Sequence, residues 1–151
     1  MLNSKKLEQD IINIFKQQYQ YNIVSVKVAQ AYEDYARTGS GSQGDPIIFK
    51  GTEKLFLKQA MDLIYIGKIL QPAAAQYIAQ AITSFWLLPP LITGTGGVVS
   101  AILPIPGAIK FMAIQAKTVE EAGRGFANAL DLMTKTVFFV YPFPVPPGPI
   151  L

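Results

Sequence analysis

Apolar residues recur at helical spacing along most of this chain, and one compact form of that spacing occurs three times. It reads apolar–Ala–Gln/Asn–Ala–apolar: Val28-Ala29-Gln30-Ala31-Tyr32, Ile78-Ala79-Gln80-Ala81-Ile82 and Phe126-Ala127-Asn128-Ala129-Leu130. The first alanines stand about 50 residues apart, in the range where a period signals a repeated structural unit. Each copy falls in a predicted helix, and each leads into a stretch rich in Gly, Thr or Pro.

The apolar stripes place the helices. Leu7, Ile11, Ile14, Phe15 and Tyr19 predict a first helix over about 4–19 with Ser4 as its cap; Val24, Val28, Ala31, Tyr32 and Tyr35 predict a second over 24–37, with Glu33 and Asp34 outside. A Gly/Ser loop over 38–46 ends in Asp45-Pro46, composition that predicts a turn-rich surface excursion. Ile47-Ile48-Phe49 reads as a short strand. A third helix, opened by Thr52 and Glu53, runs to Leu70. Pro72 ends it and fits the first turn of the next, over 73–87. A helix from about Ala108 follows, and Thr118 with Glu121 spells a capping box for one running toward Met133. Gly123 and Gly125 inside that last helix imply a bend or a close backbone neighbour. Thr136 to Tyr141, β-branched and aromatic, reads as a strand.

The resulting expectation is a mainly α fold with a few short β-strands: one mostly helical domain over 1–141, with a Gly/Thr/Pro-rich loop, then an extended Pro-rich C-terminal arm over 142–151. Proline removes backbone donors and favours the polyproline conformation, so the arm is expected neither as helix nor as central strand. An apolar arm of this kind is expected to lie on a neighbouring subunit.

Composition sharpens this. The chain has 151 residues, 50% of them hydrophobic and only 15% charged, against roughly 25% charged in an average soluble domain. Between Lys68 and Lys110 no side chain is charged. A surface that something else covers explains both facts. Trp86, Phe138, Phe139, Tyr141, Phe143, Pro144, Pro146 and Pro147 are the expected interface residues, since aromatic side chains dominate interface energetics. The net charge of +3 is dispersed, which points away from specific nucleic-acid binding.

The chain contains neither Cys nor His. Disulfides, thiolate chemistry, the commonest metal ligand and the usual neutral-pH general base are therefore excluded. Glu33-Asp34 and Glu120-Glu121 are sequence neighbours that diverge by about 100° on a helix and do not share a site. Asp131 with Lys135, and Glu121 with Arg124, read as surface ion pairs. Thr93-Gly94-Thr95-Gly96-Gly97 lacks the lysine of a phosphate-binding loop and the third glycine of a dinucleotide fingerprint. No catalytic, cofactor-binding or metal site is expected.

Gly125 to Asp131, followed by Thr134-Lys135-Thr136, an apolar strand and the tail Pro144 to Pro149, together with Ala79-Gln80-Ala81, Phe85-Trp86, Pro89-Pro90 and Thr93 to Gly97, resembles small virion structural proteins of tailed bacteriophages. The resemblance implies a non-enzymatic subunit of a phage particle (neck, tail, baseplate or capsid accessory) that assembles in many copies with itself and with other virion proteins. It would be assembled in the host cytoplasm. The alternative is a small, holin-like membrane protein spanning with residues 77–114, a segment interrupted by Pro89-Pro90 and the glycine run.

Overall fold

The structure, a computed structural model, describes residues 1–151. The chain forms α1 (Ser4–Lys16), α2 (Tyr21–Ala36), β1 (Ile47–Ile48), α3 (Leu55–Ile66), α4 (Gln71–Leu87), β2 (Ile92–Thr93), β3 (Val98–Ala101), α5 (Ile105–Met112), α6 (Val119–Thr134), β4 (Phe138–Val140) and β5 (Gly148–Pro149). It is mainly helical with a small antiparallel sheet, as the hydrophobic pattern predicts. The cap of α1 is Asn3 rather than Ser4: its Oδ1 accepts from the Lys6 N–H at 3.1 Å. At α6 the Thr118 hydroxyl accepts from Glu121 N–H as predicted, while the Glu121 carboxylate reaches one residue further back to Lys117 N–H. Arg124 pairs with Glu8 on α1, not with Glu121.

The 50-residue period is visible in three dimensions. Three helical hairpins, α1–α2, α3–α4 and α5–α6, follow one another, and each ends in β structure. Every helix packs on the next, and α6 packs on α1, so the six close into a ring. The three Ala-x-Ala segments lie in α2, α4 and α6, the second helix of each hairpin. Their apolar flanks point inward one turn apart: Val28 and Tyr32, Ile78 and Ile82, Phe126 and Leu130 are all buried. The alanines between them take little space, which lets neighbouring helices approach. Gly123 does the same for α1 and α6: a Cβ there would stand 3.0 Å from the Ile12 Cα.

The inner faces of α2, α4 and α6 meet at one hydroxyl. Tyr32 is fully buried; its oxygen accepts from Trp86 Nε1–H at 2.9 Å and lies 2.7 Å from Thr134 Oγ1. Thr134 donates its proton to the Leu130 carbonyl at 2.8 Å, so the Tyr32 proton goes to Thr134. The relay Trp86–Tyr32–Thr134–Leu130 satisfies every polar atom at this point of the core. Burial pushes the Tyr32 hydroxyl well above the ordinary phenol range and keeps it a donor. One turn on, Tyr35 donates to Asp131 at 2.6 Å, and Asp131 pairs with Lys135. Glu33, expected on the solvated face, is buried instead, where Arg37 donates to it and Lys54 stands 3.8 Å away.

The three β segments gather at one end of the ring. The sheet order is β1-β2-β3-β4-β5, all antiparallel. Ser40 then exchanges both backbone hydrogen bonds with Leu151, at 3.1 and 3.0 Å, and bridges to Pro46 ahead of β1. Ser40 thereby ties the last residue of the chain to the segment that leads into β1.

Two expectations change here. The 38–46 loop is not a loose excursion: Gly39, Gly41 and Asp45 are buried, and Ser40 is bonded to Leu151. The C-terminal arm is extended but turns back onto its own chain. Ile150 N–H donates to Val137 O at 2.9 Å and Leu151 N–H to Ser40 O. Alternation along the strand puts the missing N–H of Pro149 on the Ser40 side, outside the ladder with β4, so proline is tolerated there. Residues 77–114, the membrane alternative, are divided among α4, β2, β3 and α5, and no helix is long and apolar enough to cross a membrane.

Tyr32→Phe removes the acceptor of the Trp86 indole and the donor to Thr134. A buried group left unpaired costs about 1–3 kcal/mol, so the unfolding free energy is expected to fall by that amount, seen as a lower urea midpoint with an unchanged slope. Gly123→Ala gains helix propensity but drives a methyl into the Ile12 backbone. The collision outweighs the gain and leaves a net loss of about 1 kcal/mol by the same measurement.

Candidate functional site

Closing one end of the ring with the sheet leaves its other end to the helix–helix links, residues 17–20, 67–70 and 113–118. That open end holds a hollow of about 380 Å³ lined by ten residues, nine of them hydrophobic. Val24, Ile64, Ile78, Phe111 and Phe126 form its walls, with Tyr19, Tyr21 and Tyr65 toward the solvent. Tyr21 and Tyr65 stack in parallel, ring centres 4.3 Å apart. Phe111 and Phe126 meet edge to face at 5.5 Å and also border an adjoining apolar hollow of about 300 Å³ beside Phe15 and Ile114. The Lys27 ammonium lies over the Tyr19 ring, 5.0 Å from its centre.

At the sheet end the strands alternate between core and solvent. Ile47, Val99 and Phe139 point inward and are buried. The outward positions are apolar too. Ile48 pairs with Ile92, Ile92 with Val98 and Val98 with Val140, so these four exposed β-branched residues form one continuous row across four strands. Phe138, two residues before Val140, shares their face. The uncharged segment adds further exposed large hydrophobic residues, Leu88, Leu103, Ile105 and Ile109.

The turns of the three hairpins converge beyond the sheet around Asp45. Tyr141 donates to its carboxylate at 2.7 Å and Thr95 donates at 2.5 Å. Burial alone would raise the Asp45 pKa, but hydrogen bonds from Thr93, Thr95 and Tyr141 outweigh it and hold the carboxyl at about 2. A side chain at Gly41 would put its Cβ 2.2 Å from the Tyr141 oxygen, so only glycine fits. The cluster joins one residue or more from each hairpin and fastens the three turns together.

The expected interface residues divide. Trp86 and Phe139 have no exposed surface and Tyr141 is buried with its hydroxyl on Asp45; these three hold the fold and present nothing to a partner. Phe138, Phe143, Pro144, Pro146 and Pro147 are exposed, and Phe143 is 98% so at the tip of the β4–β5 turn. Sequence reasoning missed the Ile48–Ile92–Val98–Val140 row, because it exists only through the pairing register of strands that are distant in sequence. It missed the open-end hollow for a similar reason: six elements or links contribute to it. No three Asp or Glu side chains are grouped so as to hold a metal ion.

No protein-family model, curated protein or solved structure matches the chain.

Asp45 gives a pH-dependent prediction. Its folded pKa lies below the unfolded value of 3.8, so its contribution to stability is complete above about pH 4 and lost as the pH falls toward 2. Asp45→Ala strands the Tyr141 and Thr95 hydroxyls and is expected to cost about 1–3 kcal/mol at pH 7. The gap between variant and parent should close on acidification in parallel denaturation curves.

Proposed function

We propose that this chain is a non-enzymatic structural subunit that acts by assembling in several copies, as a component of a tailed-phage particle. The observation that carries the reading is the exposed row Ile48–Ile92–Val98–Val140 with Phe138 on the same face. Apolar side chains in register on neighbouring strands form a contiguous patch, and patches of this kind mark protein contact surfaces. Burial of such a surface is favourable by about 25 cal/mol per Å² before the costs of association. The surrounding segment from Ile69 to Ile109 carries no charge, so no ion has to be desolvated when a partner covers it.

The particle assignment rests on the resemblance to small virion proteins; the surface supports the assembly part of it. Neck, tail, baseplate and capsid accessory positions are all compatible with a compact subunit of this shape. The mode of contact differs from the one the sequence suggested. The last ten residues add a strand to the subunit's own sheet, and the apolar face beside them takes the role first given to a reaching arm.

The test uses substitutions that suit a strand and leave the core alone. Ile92→Thr with Val98→Thr keeps β-branching while making the centre of the row polar. Light scattering after size exclusion should show a discrete oligomer for the parent and a smaller species for the variant, with unchanged far-ultraviolet circular dichroism. Equal masses for the two would remove the row from the interface, and a parent that stays monomeric on concentration would overturn self-assembly. Deleting 142–151 is a different experiment: it removes β5, the buried Ile150 and the Ser40–Leu151 closure, and is expected to destabilise the fold itself.

A further inference from the structure

Contacts distant in sequence gather the three helix–helix links into one end of the ring. Tyr21 at the start of α2 stacks on Tyr65 near the end of α3. Gln71 at the start of α4 donates to the Phe111 and Ile114 carbonyls around the end of α5, at 2.7 and 3.0 Å. Lys16 at the end of α1 pairs with Glu120 at the start of α6, at 2.6 Å. Phe15, Ile69 and Ile114, one from each hairpin, border the same apolar hollow.

The most exposed positions of this end depart from what their local structure favours. Leu70 is the N-cap of α4, where Ser, Thr, Asp or Asn would bond a free helical N–H. It caps nothing, and 79% of its surface is exposed. Ile66 closes α3 and is 64% exposed. Between them Lys68 has a φ of 48°, in the left-handed region where Gly or Asn is ordinary. The turn is nonetheless fixed: the Lys68 and Ile69 N–H groups donate to the Tyr65 and Ile64 carbonyls at 3.2 and 3.0 Å. Folding alone would favour Ser at 70 and Gly at 68, so the residues present there answer to something outside the fold.

The charge at this end is positive. Across 13–24, 63–74 and 109–122, four lysines stand against two glutamates. Glu120 is taken by Lys16, and the Glu121 carboxylate accepts from the Lys117 N–H. Lys68, Lys110 and Lys117 are exposed and take part in no ion pair. Tyr19, Tyr21 and Tyr65 are exposed as well, and a tyrosine's apolar body and polar tip suit the level of lipid headgroups. A second copy meeting this end face to face would set the same lysines against each other. An anionic bilayer accommodates the aliphatic tips and the lysines together.

We propose that the end formed by the three helix–helix links docks on an anionic lipid bilayer. Ile66 and Leu70 enter the boundary between headgroups and acyl chains, and Lys68, Lys110 and Lys117 lie against the headgroups. The chain rests on the bilayer rather than crossing it; no helix is long and apolar enough to span. This contact uses the end away from the sheet and does not depend on the assembly face.

The test is sedimentation of the full chain with vesicles of phosphatidylcholine, or of equal parts phosphatidylcholine and phosphatidylglycerol, at low ionic strength. Binding to the mixed vesicles is expected to be at least about tenfold tighter and to weaken with added salt. Ile66→Ser with Leu70→Ser leaves the core alone and supplies a capping residue to α4. It should reduce binding by about tenfold or more with an unchanged circular dichroism spectrum. Lys68→Glu with Lys117→Glu alters only exposed, unpaired side chains and should bring mixed-vesicle binding down to the phosphatidylcholine level. Absence of binding to the mixed vesicles overturns the proposal, as does binding that the serine variant retains in full. Equal binding to both vesicle types, or a glutamate variant that binds as the parent does, overturns the anionic-lipid assignment. A smaller oligomer for the serine variant in vesicle-free buffer assigns this end to a second copy of the chain and overturns the membrane contact.

Discussion

The fold depends on the phenol of Tyr32. A hydroxyl at the centre of a helical ring is costly unless both its donor and its acceptor capacity are used. Here each is used by a different helix pair: Trp86 of the second hairpin donates to it, and Thr134 of the third accepts from it. The three hairpins are thus held at one point by directional bonds, where apolar packing alone would tolerate sliding. Tyr35, one turn further along α2, repeats the device with Asp131, one turn before the end of α6. A second polar centre at Asp45 fixes the hairpin turns in the same way. Two satisfied networks, one in the ring and one beyond the sheet, set the register of everything between them.

The repeat was legible because it resides in helices. Val28 to Tyr32, Ile78 to Ile82 and Phe126 to Leu130 each carry the same spacing, and helical spacing is a local property. The mainly helical class followed from it. The β half was hidden for the converse reason. Its strands are two to four residues long, too short for alternation to show a face, and three of the four ladder pairings need residues brought together by helices or by a long turn. Phe138 and Phe139 look equivalent in sequence, yet one faces solvent and the other the core. Trp86 looked like an anchor for a partner because an indole is a common one. Its actual partner is Tyr32, which lies 54 residues earlier.

The tail shows how composition misleads when topology is unknown. Proline removes a donor, which argues against a strand wherever both neighbours need that donor. Around Pro149 the demand is only for Ile150 toward β4 and Leu151 toward Ser40. Glycine in 38–46 misled in a similar way. Its composition predicts a turn-rich surface excursion, whereas Gly41 is there because Tyr141 occupies the space a side chain would take.

The sheet is what connects the fold to its surfaces. Its two ends are tied together through Ser40, which links Leu151 to the segment ahead of β1, and its outer face carries the exposed apolar row. That face is apolar and in register, so under the proposed assembly role its contacts are made by side chains rather than by added strands. The ring distributes its polarity accordingly. Charged residues are concentrated on α1, α2, α3 and α6, whereas the sheet and the α4–α5 flank are nearly free of them. Charge placed on the outer face of the sheet would protect the single copy and oppose assembly. Its absence there, in a chain whose core is already well supplied with buried aromatic and aliphatic residues, is the feature of the sequence on which the proposed assembly role rests.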